Sequence, residues 1–262
     1  MTHTISESKI ASKPKRDISS LPPLTPNASL RWDVVSRLLP DRVGKALEVG
    51  CGRGAAAARI ARRADRMVAV EPDTQSYAVA CENLRDAATV YNCMSFELPG
   101  AETFDTICAF EVLEHIEDDV AALKEWSEKM VPGGTLVISV PAWQDRFAAA
   151  DTIAGHFRRY NPEHLRSRLE EAGFVDIQTE LYGFPAGHLL EAFRNYAARK
   201  LLKGEAKNMD IAERTAGSGR LFQPSQGLSG LATTLAARPL VWGQRLFPNR
   251  GVGLVAVARR PV

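Results

Sequence analysis

Three alternate glycines, Gly50, Gly52 and Gly54, punctuate the string A-L-E-V-G-C-G-R-G over residues 46–54. Glycine takes backbone angles that other residues avoid, and the missing Cβ lets a ligand approach the main chain. A second apolar run, M-V-A-V-E over 67–71, ends in Glu71 followed by Pro72. A carboxylate there can accept hydrogen bonds from two vicinal hydroxyls, so a nucleoside is the expected ligand. Two histidines are placed to move a proton. His115 lies in E-V-L-E-H-I (111–116), with Glu111 and Glu114 beside it, and His156 lies in G-H-F-R-R-Y (155–160). Arg158 and Arg159 could pair with an acidic substrate. Tyr160 belongs to the same cluster, and Trp143, after Pro141, could line a substrate pocket. Each also has a bland reading: His115 as an orderer of its loop, the arginines as bridges to acids of the body, Tyr160 and Trp143 as packing. No metal ligand set is expected, because none of the four cysteines pairs as C-x-x-C or sits near histidines at zinc-like spacing.

These residues must be carried by alternating elements. Helix is expected from caps at Asn27 and Ser29 to Leu39, over 54–64, 74–85 and 117–130, and from Pro162 to Glu171. Strand is expected at 45–50, 67–71, 89–92, 104–110, 135–140, 174–182 and 252–258. The Pro132-Gly133-Gly134 triplet is taken to end the fourth of these helices. Such alternation implies a parallel sheet covered on both faces. Four regions follow: a mobile arm (1–27), a core (28–184), a helical insertion or cap (185–250), and a last core strand (251–262). The insertion has helical stretches at 186–203 and 228–246 joined by a Gly/Ser/Pro-rich piece.

The chain of 262 residues is 45% hydrophobic, enough for a substantial core, and its formal charge is only +2. The charge is uneven. Residues 33–182 carry 16 Lys/Arg against 25 Asp/Glu, a net of −9, whereas 183–262 carry 12 against 4, a net of +8. The basic tail is not interleaved with aromatics, so nucleic acid is disfavoured as a partner. An anionic membrane surface could be touched through 185–250. Unpaired cysteines and the lack of a long apolar run point to a cytoplasmic protein. The sequence leaves the oligomeric state open.

The E-V-G-C-G-R-G string resembles motif I of the class I S-adenosylmethionine-dependent methyltransferases, and V-A-V-E-P-D (68–73) resembles their second motif. F-D-T-I-C-A-F-E-V-L-E-H-I (104–116), V-P-G-G-T-L-V-I-S-V-P (131–141) and the segment 155–174 resemble further stretches of the small-molecule branch. The resemblance implies a Rossmann-like, doubly wound α/β fold. Its sheet would have seven mostly parallel strands, with the last strand antiparallel and inserted. It implies S-adenosylmethionine as cofactor, with the glycine turn (Glu48, Gly50, Cys51, Gly52, Gly54) near the methionine part and Glu71 and Pro72 at the ribose. Phe110 and Glu111 would also touch the cofactor. The adenine-binding acid after the third strand is replaced by Met94, with Ser95 or a backbone carbonyl as substitute acceptor. The implied reaction is methyl transfer to an O, N or C nucleophile of a small-molecule or lipid-like acceptor. Two other readings remain: an NAD(P)-dependent oxidoreductase, since G-C-G-R-G-A also fits a looser dinucleotide pattern, and a non-catalytic cofactor-binding partner protein.

Overall fold

In the computed structural model, residues 21–202 and 237–262 are described. Seven strands form one sheet: β1 (Gly44–Val49), β2 (Ala64–Val70), β3 (Thr89–Tyr91), β4 (Phe104–Phe110), β5 (Met130–Pro141), β6 (Val175–Gly183) and β7 (Gly251–Arg259). Their order across the sheet is β3-β2-β1-β4-β5-β7-β6. Strands β1 to β5 pair in parallel, and β7 runs antiparallel between β5 and β6. The doubly wound sheet with an inserted last strand is therefore present.

Alternation along the strands sends side chains to two cores. Leu47, Val49, Ile107, Ala109, Leu136 and Ile138 share one core with Leu123, Trp126, Leu165 and Leu169. The last four come from α4 (Asp119–Glu128) and α6 (Pro162–Glu171). Ala46, Met67, Ala69, Cys108, Phe110 and Val137 share the other with Leu30, Val34, Ile60, Ala80 and Leu84. These belong to α1 (Pro26–Leu38), α2 (Ala57–Ile60) and α3 (Thr74–Leu84). Helices on both faces leave the strand ends as the open rim where ligands bind.

Several boundaries differ from the sequence reading. The cap of α1 is Thr25, whose hydroxyl accepts from the Ala28 N–H at 3.1 Å. Residues 21–27 pack rather than forming a free arm, with Leu24 buried; residues 1–20 lie outside the described residues. Most of the helix expected over 54–64 is turn, so α2 is one turn long, and β2 begins at Ala64. The helix expected over 117–130 ends at Glu128, before Pro132-Gly133-Gly134. That triplet instead lies inside β5. The β4–β5 register jumps from Phe104↔Met130 to Thr106↔Thr135, a bulge that absorbs extra residues. Gly133 N–H donates to the Arg260 carbonyl and Arg260 N–H to that of Gly134, both at 3.0 Å. A short helix, α5 (Ala149–Ala154), has no counterpart in the sequence reading.

After β6 comes α7 (Ala186–Leu202), and residues 237–244 are helical before β7. The joining piece of the insertion lies outside the described residues. Gln244 amide donates to the Leu30 carbonyl and to Asp33, each at 2.9 Å, and its oxygen accepts from Gly183 N–H at 3.0 Å. No helix among the described residues is long and apolar enough to cross a membrane.

Where β6 meets β7 the backbones nearly touch. A Cβ on Gly251, whose φ is +150°, would lie 1.8 Å from the Tyr182 carbonyl oxygen. Backbone cannot yield as a flexible side chain can. Gly251→Ala should cost at least the upper end of the roughly 1–3 kcal/mol typical of overpacking, read as a lowered midpoint in urea. A wild-type midpoint would contradict this close approach.

Candidate functional site

The sheet changes winding direction between β1 and β4, and a cleft of about 1540 Å³ opens at their carboxyl ends. Its wall includes Glu48, Gly50, Cys51, Gly52, Glu71, Pro72, Met94, Ser95, Phe110 and Glu111. Ten of the eleven residues singled out for the cofactor thus meet at one cleft. Gly54 is the exception: it packs under α3, where a Cβ would stand 2.9 Å from the Leu84 side chain. Gly50 needs its bare Cα for a different reason. Its φ is +65°, and a Cβ would stand 2.7 Å from Val112.

Glu71 organises the turn. One carboxylate oxygen accepts the Gly52 N–H at 2.7 Å and the other the Asp73 N–H at 2.9 Å. Burial raises the Glu71 carboxyl, and these two N–H donors work against that rise. Each oxygen keeps a lone pair for a hydroxyl. Asn92 donates to the Glu71 and Pro72 carbonyls at 2.7 and 3.0 Å and pins the end of β2. Deeper in, Glu48 is buried with one oxygen unpartnered. Burial pushes its carboxyl up to about 8, against the pull of Arg31 and with the help of the Glu71 charge. Glu111, at φ +57°, accepts from the Ser139 hydroxyl at 2.9 Å and the Tyr182 hydroxyl at 3.4 Å. Arg31 of α1 stands 3.5 Å from the same oxygen and 5.6 Å from the centre of the Phe110 ring.

Around the adenine position expected from the sequence, Met94 is exposed to the cleft. The Ser95 hydroxyl is already committed. It donates to Glu125 at 2.8 Å and accepts from the Trp126 indole at 3.2 Å. Glu125, which sequence reasoning passed over, lines the cleft beside it.

His115 and His156 both line the cleft, with ring centres 4.6 Å apart. Burial, with His156 adding to it, pushes His115 down to about 3. So weak a base is poorly matched to taking a proton near neutrality, which counts against that role. Asp151 Oδ1 holds His156 Nδ1 at 2.9 Å. Burial alone would raise Asp151, but hydrogen bonds from His156 and Arg159 outweigh it and hold the carboxyl well below its usual range.

The four residues expected to meet substrate do not line this cleft, which is a correction to the sequence reading. Arg159 is buried between Asp151 and Glu191 of α7. Arg158 pairs with Asp119 at 3.1 Å and donates to the carbonyls of Ile116 and Glu117. Tyr160 is fully buried and its hydroxyl donates to Asp119 at 2.9 Å. Trp143 donates its indole N–H to the Gly251 carbonyl at 2.9 Å. These partners hold the four side chains in place by contacts within the protein. Phe157 and, from α7, Leu190 and Phe193 line the cleft instead.

With this geometry in view, the family is settled by similarity. The model of the methyltransferase domain family matches residues 27–179, and the chain belongs to that family. This sets aside the dinucleotide-oxidoreductase reading. A probable S-adenosylmethionine-dependent methyltransferase of Mycobacterium tuberculosis is 32% identical over 148 residues, 55% of this chain and 54% of that protein. A ubiquinone biosynthesis O-methyltransferase of Idiomarina loihiensis is 28% identical over 151 residues, 51% of this chain and 62% of that one. The chain thus spans little more than half the length of these curated relatives. Among solved structures, a [4+2]-cyclase superposes with a TM-score of 0.56 at 22% identity, covering 90% of this chain and 83% of its own, a likeness of fold.

The Glu48 position makes a pH prediction. Its carboxyl is raised from 4.5 to about 8, so folding takes up a proton between those values. The stability this provides is complete at low pH and is lost as pH rises through 8. Urea midpoints of the unliganded protein, measured from pH 5 to 8, should fall more steeply for wild type than for Glu48→Gln. Equal slopes would contradict a neutral Glu48.

Proposed function

We propose that the protein transfers a methyl group from S-adenosylmethionine to a small-molecule acceptor. The observation that carries this reading is Glu71, buried at the end of β2 and clamped to the glycine turn, at the point where the sheet changes direction. Such a carboxylate suits the vicinal hydroxyls of a ribose. The relatives' names supply the cofactor and the reaction type.

The sulfonium carries an activated methyl and a good leaving group, so the protein's task is to align the acceptor and keep water out. Glu48, Gly50, Cys51 and Gly52 would face the methionine part, and Met94 the adenine. Glu125, a carboxylate beside Met94 in the cleft wall, would accept from the adenine amino group, with the Ser95 hydroxyl bound to it. The cleft exceeds the roughly 300–1,000 Å³ of a typical ligand pocket, which allows cofactor and acceptor together. The acceptor would lie between His115, His156 and Phe157 on one side and Leu190 and Phe193 on the other. That apolar wall favours an acceptor with an apolar, lipid-like body.

The insertion is then a cap on the acceptor. A second reading has α7 touching an anionic membrane. It is favoured by the exposed Leu189, Phe193 and Tyr196 on a helix that ends with Arg199 and Lys200. Co-sedimentation with anionic liposomes that disappears at high salt would support it.

S-adenosylhomocysteine should bind and NAD should not, by calorimetric titration. Glu71→Ala should weaken that binding about tenfold or more, equivalent to the roughly 1.5–3 kcal/mol of hydrogen bonds to a charged group. Unchanged affinity in a folded variant would remove the ribose role. Phe193→Ala should raise the acceptor KM several-fold, by the loss of an aromatic contact with the acceptor, while cofactor affinity holds. An unchanged KM would take α7 out of the acceptor site.

A further inference from the structure

Behind the histidines of the cleft lies a group that the protein's own contacts leave unsatisfied. Glu114 is completely buried, and neither of its carboxylate oxygens has a hydrogen-bond partner in another residue. Buried charges are ordinarily paired or coordinated to a metal. Protonating Glu114 would not resolve the problem, because a neutral carboxyl still needs an acceptor. The nearest candidate, His156 Nε2, is 3.9 Å away, beyond hydrogen-bond reach.

The two neighbouring histidines complete the cluster. His115 Nδ1 is buried without a partner. His156 is fixed by Asp151 through Nδ1, which presents Nε2 to Glu114. Asp151 is in turn anchored by two hydrogen bonds from Arg159, at 2.8 and 2.7 Å. A carboxylate holding the far nitrogen of an imidazole is the arrangement that orients a metal-bound histidine and sets its tautomer. One ligand atom from each of Glu114, His115 and His156 lies within 4.8 Å of the other two.

We propose that Glu114, His115 and His156 bind one divalent transition-metal cation at the wall of the cleft. Two imidazole nitrogens and one carboxylate suit zinc, manganese, cobalt or ferrous iron better than magnesium or calcium, which take oxygen ligands. Metal–ligand bonds of about 2.0–2.2 Å place ligand atoms roughly 3.5 Å apart, so the three side chains would draw together on binding. Three protein ligands leave coordination positions open, as in catalytic rather than structural sites. His115 and His156 line the cleft, so those positions are within reach of an acceptor.

The role of the cation rests on the methyl transfer proposed above. An acceptor hydroxyl bound to it would release its proton to water more readily. The oxygen would then bond to the methyl carbon as the carbon–sulfur bond breaks, its electron pair remaining on sulfur. The products are a methyl ether, the thioether form of the cofactor and one proton. In this scheme His115 and His156 are ligands and not bases, and an oxygen acceptor is favoured.

The test uses the full chain, stripped with a chelator and dialysed free of it. Co(II) is titrated in while visible absorption is followed, Zn(II) and Mn(II) uptake is measured by equilibrium dialysis, and S-adenosylhomocysteine is titrated separately. One Co(II) per chain with d–d bands is expected, together with a raised melting temperature. Glu114→Gln and His156→Ala should each weaken Co(II) binding by at least about tenfold. Glu114→Gln is close to isosteric, so it should fold without metal, which circular dichroism verifies. His115→Phe provides a second folded test of the same ligand set. Absence of Co(II), Zn(II) and Mn(II) uptake by wild-type protein that still binds S-adenosylhomocysteine would overturn the metal site and leave the methyltransferase reading standing. Uptake undiminished in folded Glu114→Gln and His115→Phe would also overturn it. Metal uptake lost in the variants, without any S-adenosylhomocysteine binding by wild type, would support the site and count against methyl transfer.

Discussion

The buried guanidinium of Arg159 ties α5 to α7 beside the cleft. It sits between Asp151 of α5 and Glu191 of α7, and its backbone N–H is held by Gln144 at 2.8 Å. Arg146 reaches the same Glu191 from the rim. A buried ion pair adds little net stability, because desolvation offsets the attraction. Removing one member is different, since it strands a charge at a typical cost of about 3–5 kcal/mol. The network therefore specifies position. It fixes the distance of α7 from the strand ends, and so where Leu190 and Phe193 stand in the cleft wall. Through Asp151 it also fixes which nitrogen of His156 faces Glu114. Helix α7 and the histidine cluster share one set of charges, so Glu191 cannot be removed without disturbing the cluster.

The opposite side of the cleft is governed by carboxylates. Among the described residues, seven acidic residues line the wall against three arginines. In a partly desolvated cleft such an excess favours a cationic ligand. The methylated cofactor bears a positive sulfonium and its product does not, so the wall should distinguish them. Buried Glu48, its carboxyl pushed up to about 8 by burial, belongs to the same balance. A positive ligand nearby would draw its proton off. The charge that burial suppresses thus becomes available when a cation arrives.

How much of this was legible in the sequence depended on distance along the chain. Strand β4 and helix α6 have the boundaries expected, because a buried apolar run and a proline at the first helical position are local signals. The glycine turn and Glu71 were readable for the same reason: each announces itself within a few residues. Pro132-Gly133-Gly134 misled because the usual local meaning of such a triplet is a turn. Only the pairing of Gly133 and Gly134 with Arg260, far downstream, makes it a bulge within β5. Arg158, Arg159 and Tyr160 misled in the same way. Beside a candidate histidine they looked like substrate contacts, while Asp119 and Glu191, which neutralise or bond them, are separated in sequence by tens of residues.

The cluster of Glu114, His115 and His156 is not legible in the sequence for a related reason. Glu114 and His115 are adjacent, and their third member comes from a different loop, after β5. No local ligand spacing links them. What brings them together is the parallel pairing of β4 and β5, whose carboxyl ends deliver the two loops to the same rim. The isolated bridge between Ala142 and Tyr160 then returns the second loop toward the first. The Phe157 N–H closes the approach by donating to the Glu114 carbonyl at 2.8 Å. This backbone bond holds the main chain at Glu114 against the His156 loop and leaves its carboxylate unsatisfied. A fold shared with a [4+2]-cyclase does not dictate chemistry. The difference must come from side chains such as these, set on loops that the sheet merely brings within reach of one another.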